Sequence, residues 1–142
     1  MTKILVPVDS TPVVSAVLAA AVDEARWRGA ELVLLRALGI PSELPLEAYA
    51  LAPDQVAALV ERSARGELDA LCAQLPSGVT ATVRVEYGAA WRVICDVARQ
   101  EAVALVVIGA HGHRTLDGLL GTTASRVVTH LDRPLLVVRT PR

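Results

Sequence analysis

The chain has 142 residues, about the length of a single domain. Because 53% of its residues are apolar and 20% are charged, the composition is typical of a compact globular domain and excludes a disordered chain. The formal net charge of −1 and the aromatic content of 3% argue against a general nucleic-acid binder, which needs a positive field or rings for base stacking.

The first part of the chain has the pattern of a strand, a helix and a second strand. The aliphatic residues 4–8 predict a buried strand, and Pro12 opens a helix that Thr11 caps. Gly29 stands where a glycine ends such a helix. The unbroken apolar run within Glu31–Leu38 predicts a strand that is covered on both faces, as in a parallel sheet.

The middle of the chain opens with a long connection. Residues 39–53 show no regular pattern and exceed the usual loop length in a compact domain, which is typical of a functional segment. Residues 54–75 have helical periodicity, with their charges on a solvated face. Residues 79–86 alternate apolar and polar side chains, so we expect an edge strand with one face in water.

Two more helix and strand pairs complete the chain. Residues 91–101 and 122–131 predict helices, and residues 103–108 and Leu135–Val138 predict strands. The strict alternation predicts an α/β protein with a single doubly wound, five-stranded parallel sheet and helices on both faces. Pro7 has no N–H to donate, so we expect a break in the hydrogen bonding of its strand.

Several polar residues and glycines fall at predicted strand ends, where doubly wound sheets bind ligands. Asp9 follows the first strand, either as a ligand contact or as an acceptor that holds the next turn. Gly109 and Gly112 follow the fourth strand and would let backbone amides approach an anion. The helix that begins after Gly121 presents unpaired amides, a partial positive charge and two hydroxyls. Together these features predict one phosphate-binding crevice.

Other site chemistries have less support in the sequence. The glycines match neither the dinucleotide fingerprint nor the P-loop. His111 and His113 have no third ligand nearby, so we predict no metal site there, and we interpret Arg114 as an exposed loop residue. Ser10 and Ser15 are not part of a nucleophile elbow, so a hydrolase is not predicted.

The cysteines, tryptophans and chain ends give further expectations. Cys72 and Cys95 lie in apolar helical patterns without a paired-cysteine motif, so we expect reduced core thiols. Trp27 and Trp91 lie in predicted helices and are expected to pack. The apolar runs are too short for a membrane span or a signal peptide, which indicates a cytoplasmic protein.

Over residues 1–142, taken as one domain, the chain resembles the universal stress protein family. The matching segments are residues 4–9, residues 34–37, the turn at Gly88, residues 105–112, Gly121 with Thr122, and residues 130–138. The resemblance implies a fold like that of the adenine nucleotide alpha-hydrolases, with strand order 3-2-1-4-5.

Nucleotide-binding members of that family carry the pattern Gly-x2-Gly-x9-Gly-Ser/Thr, so the resemblance implies ATP with Mg²⁺ as the ligand. Asp9 would contact the ribose near the metal, and the backbone of Ala37 would meet adenine. The remaining residues implied to bind the nucleotide are Pro7 and Val8 along the adenine wall, with Ile108, Gly109, Gly112, Gly121, Thr122 and Thr123 around the phosphates. Eight residues separate Gly112 from Gly121, one fewer than in the pattern.

The sequence thus predicts an ATP-binding regulatory module of the stress response. Leu135–Val138 is apolar and ends the sheet, so we expect a homodimer through this strand, and neither nucleic acid nor a membrane as partner. Because no residue stands out as a general base, we predict no enzyme beyond slow ATP hydrolysis or self-phosphorylation. The alternative, which the short glycine spacing favours, is a dimeric interaction module that does not bind ATP.

Overall fold

Nine elements alternate as strand and helix in the computed structural model, which describes residues 1–9, 13–39, 53–110 and 120–139. The strands are β1 (Lys3–Pro7), β2 (Glu31–Leu38), β3 (Ala81–Tyr87), β4 (Leu105–Gly109) and β5 (Leu135–Val138). The helices are α1 (Val14–Arg28), α2 (Pro53–Ala73), α3 (Ala90–Gln100) and α4 (Thr122–His130).

The five strands form one parallel sheet in the order β3-β2-β1-β4-β5. This arrangement confirms the predicted doubly wound α/β class and the strand order 3-2-1-4-5. The strands β3 and β5 are the two edges, so the edge position expected for the alternating residues 79–86 is confirmed. The chain builds outward from β1 through β2 to β3, then crosses back to β4, which places the reversal of strand order between β1 and β4.

Helices cover both faces of the sheet. On one face, α1 and α2 pack over β1 and β2 through residues such as Val17, Ala21 and Leu68. On the other face, α3 and α4 pack through residues such as Ile94 and Val127. Within β2, Leu32 and Leu34 belong to the first core while Val33 and Leu35 belong to the second. Alternate residues of a strand point to opposite faces, which explains why β2 is an unbroken apolar run.

Every element except β2 and β5 differs by one or two residues from its predicted bounds, and two of these differences have a local cause. Helix α1 begins at Val14 with Val13 as its N-cap, two residues after the predicted start, and Thr11 and Pro12 lie outside the described residues. Gly29 ends α1 in the left-handed conformation with φ 61°, as predicted. Strand β4 begins at Leu105 because Ala102 adopts φ 50° and the Val103 N–H still donates to the Ala98 carbonyl of α3.

An ion-pair network lies near the amino edge of the sheet. The Lys3 ammonium donates to Glu101 Oε2 at 2.6 Å, and Arg84 Nη1 donates to Glu101 Oε1 at 3.1 Å. Arg84 also pairs with Glu86 and donates to Gln100. The hydrogen bond from Lys3 is the main cause that lowers the pKa of the Glu101 carboxyl, and the hydrogen bond from Arg84 lowers it further. The hydrogen bond between Lys3 and Glu101 also raises the pKa of Lys3.

Both cysteines are free thiols, as expected, with Cys95 buried and Cys72 half-buried. Burial raises the pKa of both thiols and so disfavours the reactive thiolate. Trp91 packs against the α3 and α4 core, whereas Trp27 is 88% exposed, so the expectation that Trp27 packs is wrong. Among the described residues, no helix is both long enough and apolar enough to cross a membrane.

Candidate functional site

The candidate site lies at the carboxyl edge of the sheet, where β1, β2 and β4 end. The register aligns Pro7 of β1 with Leu35 of β2, and the Val8 N–H donates to the Leu35 carbonyl at 2.7 Å. Ala37, near the end of β2, lies two residues beyond that contact. Parallel strands end at one edge, so Asp9, Ala37 and Gly109 share this edge.

Pro7 ends the pairing between β1 and β4. The ladder between these strands contains Ile4 with Leu105 and Leu5 with Val106, while the ladder between β1 and β2 continues to Pro7. The peptide N–H of Val8 points to β2, so the position before it faces β4, where proline has no hydrogen to donate. The expected break is therefore confirmed, on the side where the strand order reverses.

The strand ends differ in what they present. Val8 is 6% exposed and packs in the core beneath α1, whereas Ile108 is 5% exposed and packs in the core beneath α4. Both side chains are buried, so these two residues offer main-chain atoms at the edge. Pro7 and Gly109 are half-buried, and the carboxylate-bearing Asp9 is exposed.

Helix α4 begins beside the end of β4. The Gly121 N–H donates to the Ala110 carbonyl at 2.8 Å, which fixes the start of α4 next to the strand. The Ala110 N–H donates in turn to Val138 of β5 at 2.9 Å. The amide of Gly121 is therefore already engaged, and this glycine contributes an open approach without a side chain.

The first turn of α4 carries the donors that face this edge. The first hydrogen bond inside α4 runs from the Ser125 N–H to the Gly121 carbonyl at 2.9 Å. The amides of Thr122, Thr123 and Ala124 come before it and have no carbonyl partner within the helix. Thr122 and Thr123 are exposed and add two hydroxyls. This arrangement can bind an anion through amides, hydroxyls and the positive end of the helix dipole.

Some predicted residues lie outside the described part of the chain. Gly112 lies outside the described residues, as do His111, His113 and Arg114 and most of the 39–53 connection. The described residues therefore contain the helix half of the predicted phosphate crevice together with Gly109. They contain no cluster of three metal-ligating side chains.

Tyr87 was not among the predicted site residues, yet it lies at the same edge. Its hydroxyl lies 3.3 Å from the Ala57 carbonyl and 3.3 Å from Glu61 Oε2, so it links the end of β3 to α2. Partial burial is the main cause that raises the pKa of Tyr87, and the nearby Glu61 carboxylate raises it further. A lone aromatic residue at a strand end gives no sequence signal of such a contact with a distant helix.

Comparison with known proteins gives matches over nearly the whole chain. The model of the universal stress protein family matches residues 1–139. A universal stress protein of Mycobacterium tuberculosis is 32% identical over 146 residues, an alignment that covers 96% of this chain and 45% of that relative. The chain thus spans about half the length of the curated relatives it matches.

Solved structures of universal stress proteins have the same fold. The universal stress protein UspA from Lactobacillus plantarum is 27% identical, with a TM-score of 0.76 and 97% of each chain covered. A universal stress protein in complex with cAMP is 23% identical, with a TM-score of 0.65 and coverage of 99% and 98%. The Archaeoglobus fulgidus protein in complex with dAMP is 18% identical, with a TM-score of 0.63 and coverage of 96% and 97%. The fold, the family model and the mycobacterial relative agree, and the chain belongs to the universal stress protein family.

Proposed function

We propose that this chain is a regulatory module that binds an adenine nucleotide, with ATP and Mg²⁺ as its ligand. One observation carries the proposal: the first amides of α4 and the exposed Asp9 carboxylate lie at one edge of the sheet, where the β1–β4 ladder has ended before Pro7. An anion-binding helix end next to an acceptor for hydroxyls matches the chemistry of a nucleotide. The bound cAMP and dAMP in two related structures support the choice of an adenine nucleotide.

Each described site residue has a role in this proposal. The amides and hydroxyls of Thr122 and Thr123 bind phosphate oxygens, and Gly121 keeps their approach free of a side chain. Asp9 accepts hydrogen bonds from the ribose hydroxyls, while main-chain atoms of Ala37 meet the adenine edge. In addition, the main chain of Pro7, Val8, Ile108 and Gly109 lines the crevice. The family resemblance assigns a further phosphate contact to Gly112, which lies outside the described residues.

The residues present also fit a magnesium ion held chiefly by the nucleotide. Mg²⁺ keeps several waters and is often bound through one or two carboxylates together with substrate phosphates. Asp9 is the carboxylate that follows β1 at this edge, and no cluster of three ligands occurs in the described part of the chain. Asp9 would therefore orient the metal or its water, and bound Mg²⁺ would neutralise phosphate charge.

Nucleotide titration of Gly121→Val tests the proposal. A valine at this position places two methyl groups where the phosphates approach the α4 amides, so we expect at least a tenfold weaker Kd for MgATP by calorimetry. Gly66→Val is the matched control, because a Cβ at Gly66 on α2 meets no atom within 4 Å. No binding of MgATP to the wild-type chain at millimolar concentration, or equal affinity in both variants, would contradict the proposal.

We further propose that two copies pair through β5. This strand is an edge of the sheet, its four residues are all half-buried, and its outer side offers unpaired ladder groups to another copy. The Val138 carbonyl accepts from Ala110 beside β4, so the N–H of Val137 faces the open side of β5. Replacing Val137 by proline would remove this donor, so the chain should sediment as a monomer at concentrations where the wild type is a dimer. A wild-type chain that stays monomeric across micromolar concentrations would contradict the pairing.

A second function is favoured by the eight residues between Gly112 and Gly121. A spacing one residue shorter than the family pattern shifts the glycine loop by about 3.5 Å of chain, which is comparable to a hydrogen-bond length. The chain would then act as a dimeric interaction module without ATP. The titration above separates the two functions, since this one requires that wild type and Gly121→Val both fail to bind MgATP while the dimer persists.

A further inference from the structure

A groove between α1 and the end of α2 shares no residue with the candidate nucleotide site. Its volume is ≈ 340 Å³, within the range of about 300–1,000 Å³ that small-molecule pockets occupy. The α1 residues that line it fall in two rows at helical spacing. The inner row is Val14, Leu18 and Val22, and the outer row is Ser15, Ala19 and Asp23.

The floor of the groove is apolar. Val22 is buried, and Leu18, Leu71 and Leu75 are half-buried, so part of each of these three side chains remains open to solvent. On the outer row, Ala19 is exposed and its single methyl group leaves the groove open along its length. The residues from 14 to 23 rise about 13 Å along the α1 axis, which suits a straight chain better than a compact ring.

The charge in the groove selects the head group. Asp23 is the ionisable residue among those that line the groove, and it is exposed. Within the described part of the chain, Asp23 makes no ion pair, whereas the neighbouring Glu24 is already paired with Arg28. Gln74, on the opposite wall, adds an amide that can accept or donate a hydrogen bond.

We propose that this groove binds a linear amphipathic amine, with its alkyl chain on the Leu18, Leu71 and Leu75 floor and its protonated amine at Asp23. Burial of the alkyl chain supplies the affinity, because apolar surface of both the ligand and the groove is removed from water. The Asp23 carboxylate supplies the selectivity, because it favours a cation and repels an anion of the same length. The nucleotide site plays no part in this binding.

The test is an NMR titration of the full chain with n-octylammonium, compared with octanoate and 1-octanol. We expect amide shifts concentrated at residues 14–23 and 71–76, and a Kd for octylammonium at least tenfold lower than that for octanoate. Equal affinity for octylammonium and octanoate, or shifts that centre on other residues, would overturn the proposal.

Two variants separate the charge from the apolar floor. Asp23→Asn should weaken octylammonium about tenfold, to the level of octanol, while Asp69→Asn on an exposed position of α2 should leave its affinity unchanged. Ala19→Leu should fill the groove and abolish binding of all three probes, with Ala58→Leu as the control on α2. Unchanged thermal midpoints show that these surface variants fold, and unchanged octylammonium affinity in Asp23→Asn or Ala19→Leu would refute the site.

Discussion

The amino and carboxyl edges of the sheet, where its parallel strands begin and end, use their polar residues differently. Near the amino edge, Lys3 of β1 and Arg84 of β3 both donate to Glu101 at the end of α3. At the carboxyl edge, Asp9, Thr122 and Thr123 are exposed, and the first amides of α4 precede any bond within that helix. The first group joins distant parts of the chain and so stabilises the fold. Under the proposed function, the second group contacts the nucleotide.

The largest expected difference between the edges concerns their glycine turns. Gly88 follows β3 at the carboxyl edge with φ +139°, and a Cβ there would lie 3.1 Å from Val93 Cγ2. Gly78 precedes β3 with φ +89°, and a Cβ there would meet no atom within 4 Å. We expect Gly88→Ala to lower the free energy of unfolding by about 3 kcal/mol and Gly78→Ala by about 1 kcal/mol. Urea denaturation measures both, and equal losses would contradict this account.

Asp9→Asn tests whether the carboxyl edge serves a ligand. The change removes the charge at nearly constant size, so the Kd for MgATP should rise about tenfold, or about 1.4 kcal/mol. If Asp9 serves the ligand and not the turn that follows it, the free energy of unfolding should change by less than about 0.5 kcal/mol. Calorimetry and urea denaturation on the same preparation measure the two quantities, with Asp69→Asn as control. A Kd that does not change would remove Asp9 from the proposed site.

Glu101→Gln is the corresponding change at the amino edge. It removes the carboxylate that accepts from both Lys3 and Arg84, so we expect a loss of about 1 kcal/mol in the free energy of unfolding at neutral pH. The affinity for MgATP should stay the same, since Glu101 lies at the opposite edge. An altered affinity would show that the two edges are coupled.

The same network predicts how stability depends on pH. The pKa of Glu101 is lowered in the folded chain, so its contribution is present above the ordinary value of 4.5 and is lost as the pH falls through the lowered pKa. The pKa of Lys3 is raised, so its contribution is present below 10.5 and is lost as the pH rises further. Thermal midpoints of wild type and Glu101→Gln should therefore converge in acid, and midpoints that stay apart below pH 3 would contradict the network.

The smallest effect is expected for an exposed pair on one helix. Arg28 and Glu24 of α1 are four residues apart, with Nε and Oε2 separated by 3.1 Å. Such exposed pairs contribute about 0.3–0.5 kcal/mol, so Glu24→Gln should cost about a third of what Glu101→Gln costs. Thermal unfolding in low and high salt would measure it, and a loss as large as that of Glu101→Gln would show that long-range pairing adds nothing.

Local signals account for most of the fold that the sequence predicts. The bounds of β2 and β5 agree with the prediction because apolar runs next to Gly29 and Pro134 mark them. The start of β4 was missed because Ala102 takes the left-handed conformation without a glycine to signal it. The strand order came from the family resemblance, since periodicity alone does not specify which strands are neighbours.

Long-range contacts explain what the sequence could not predict. Lys3 and Glu101 are 98 residues apart, and no local pattern pairs them. At the candidate site, the glycines and threonines were recognisable, but the engaged amide of Gly121 depends on its approach to Ala110. Whether a backbone N–H is available to a ligand depends on the tertiary fold. Residue type can therefore indicate where a site lies, but it does not indicate which N–H groups are already hydrogen-bonded.

Pro7 limits the hydrogen bonding between β1 and β4 because its ring nitrogen carries no hydrogen. Any other residue there would supply an N–H toward β4 and could extend the β1–β4 ladder by another rung. A cleft held apart by side-chain packing can close when those side chains change rotamer, whereas a ring nitrogen without hydrogen cannot acquire one at any temperature or pH. At the carboxyl edge, a single tertiary amide therefore ends the hydrogen bonding between the two halves of the sheet.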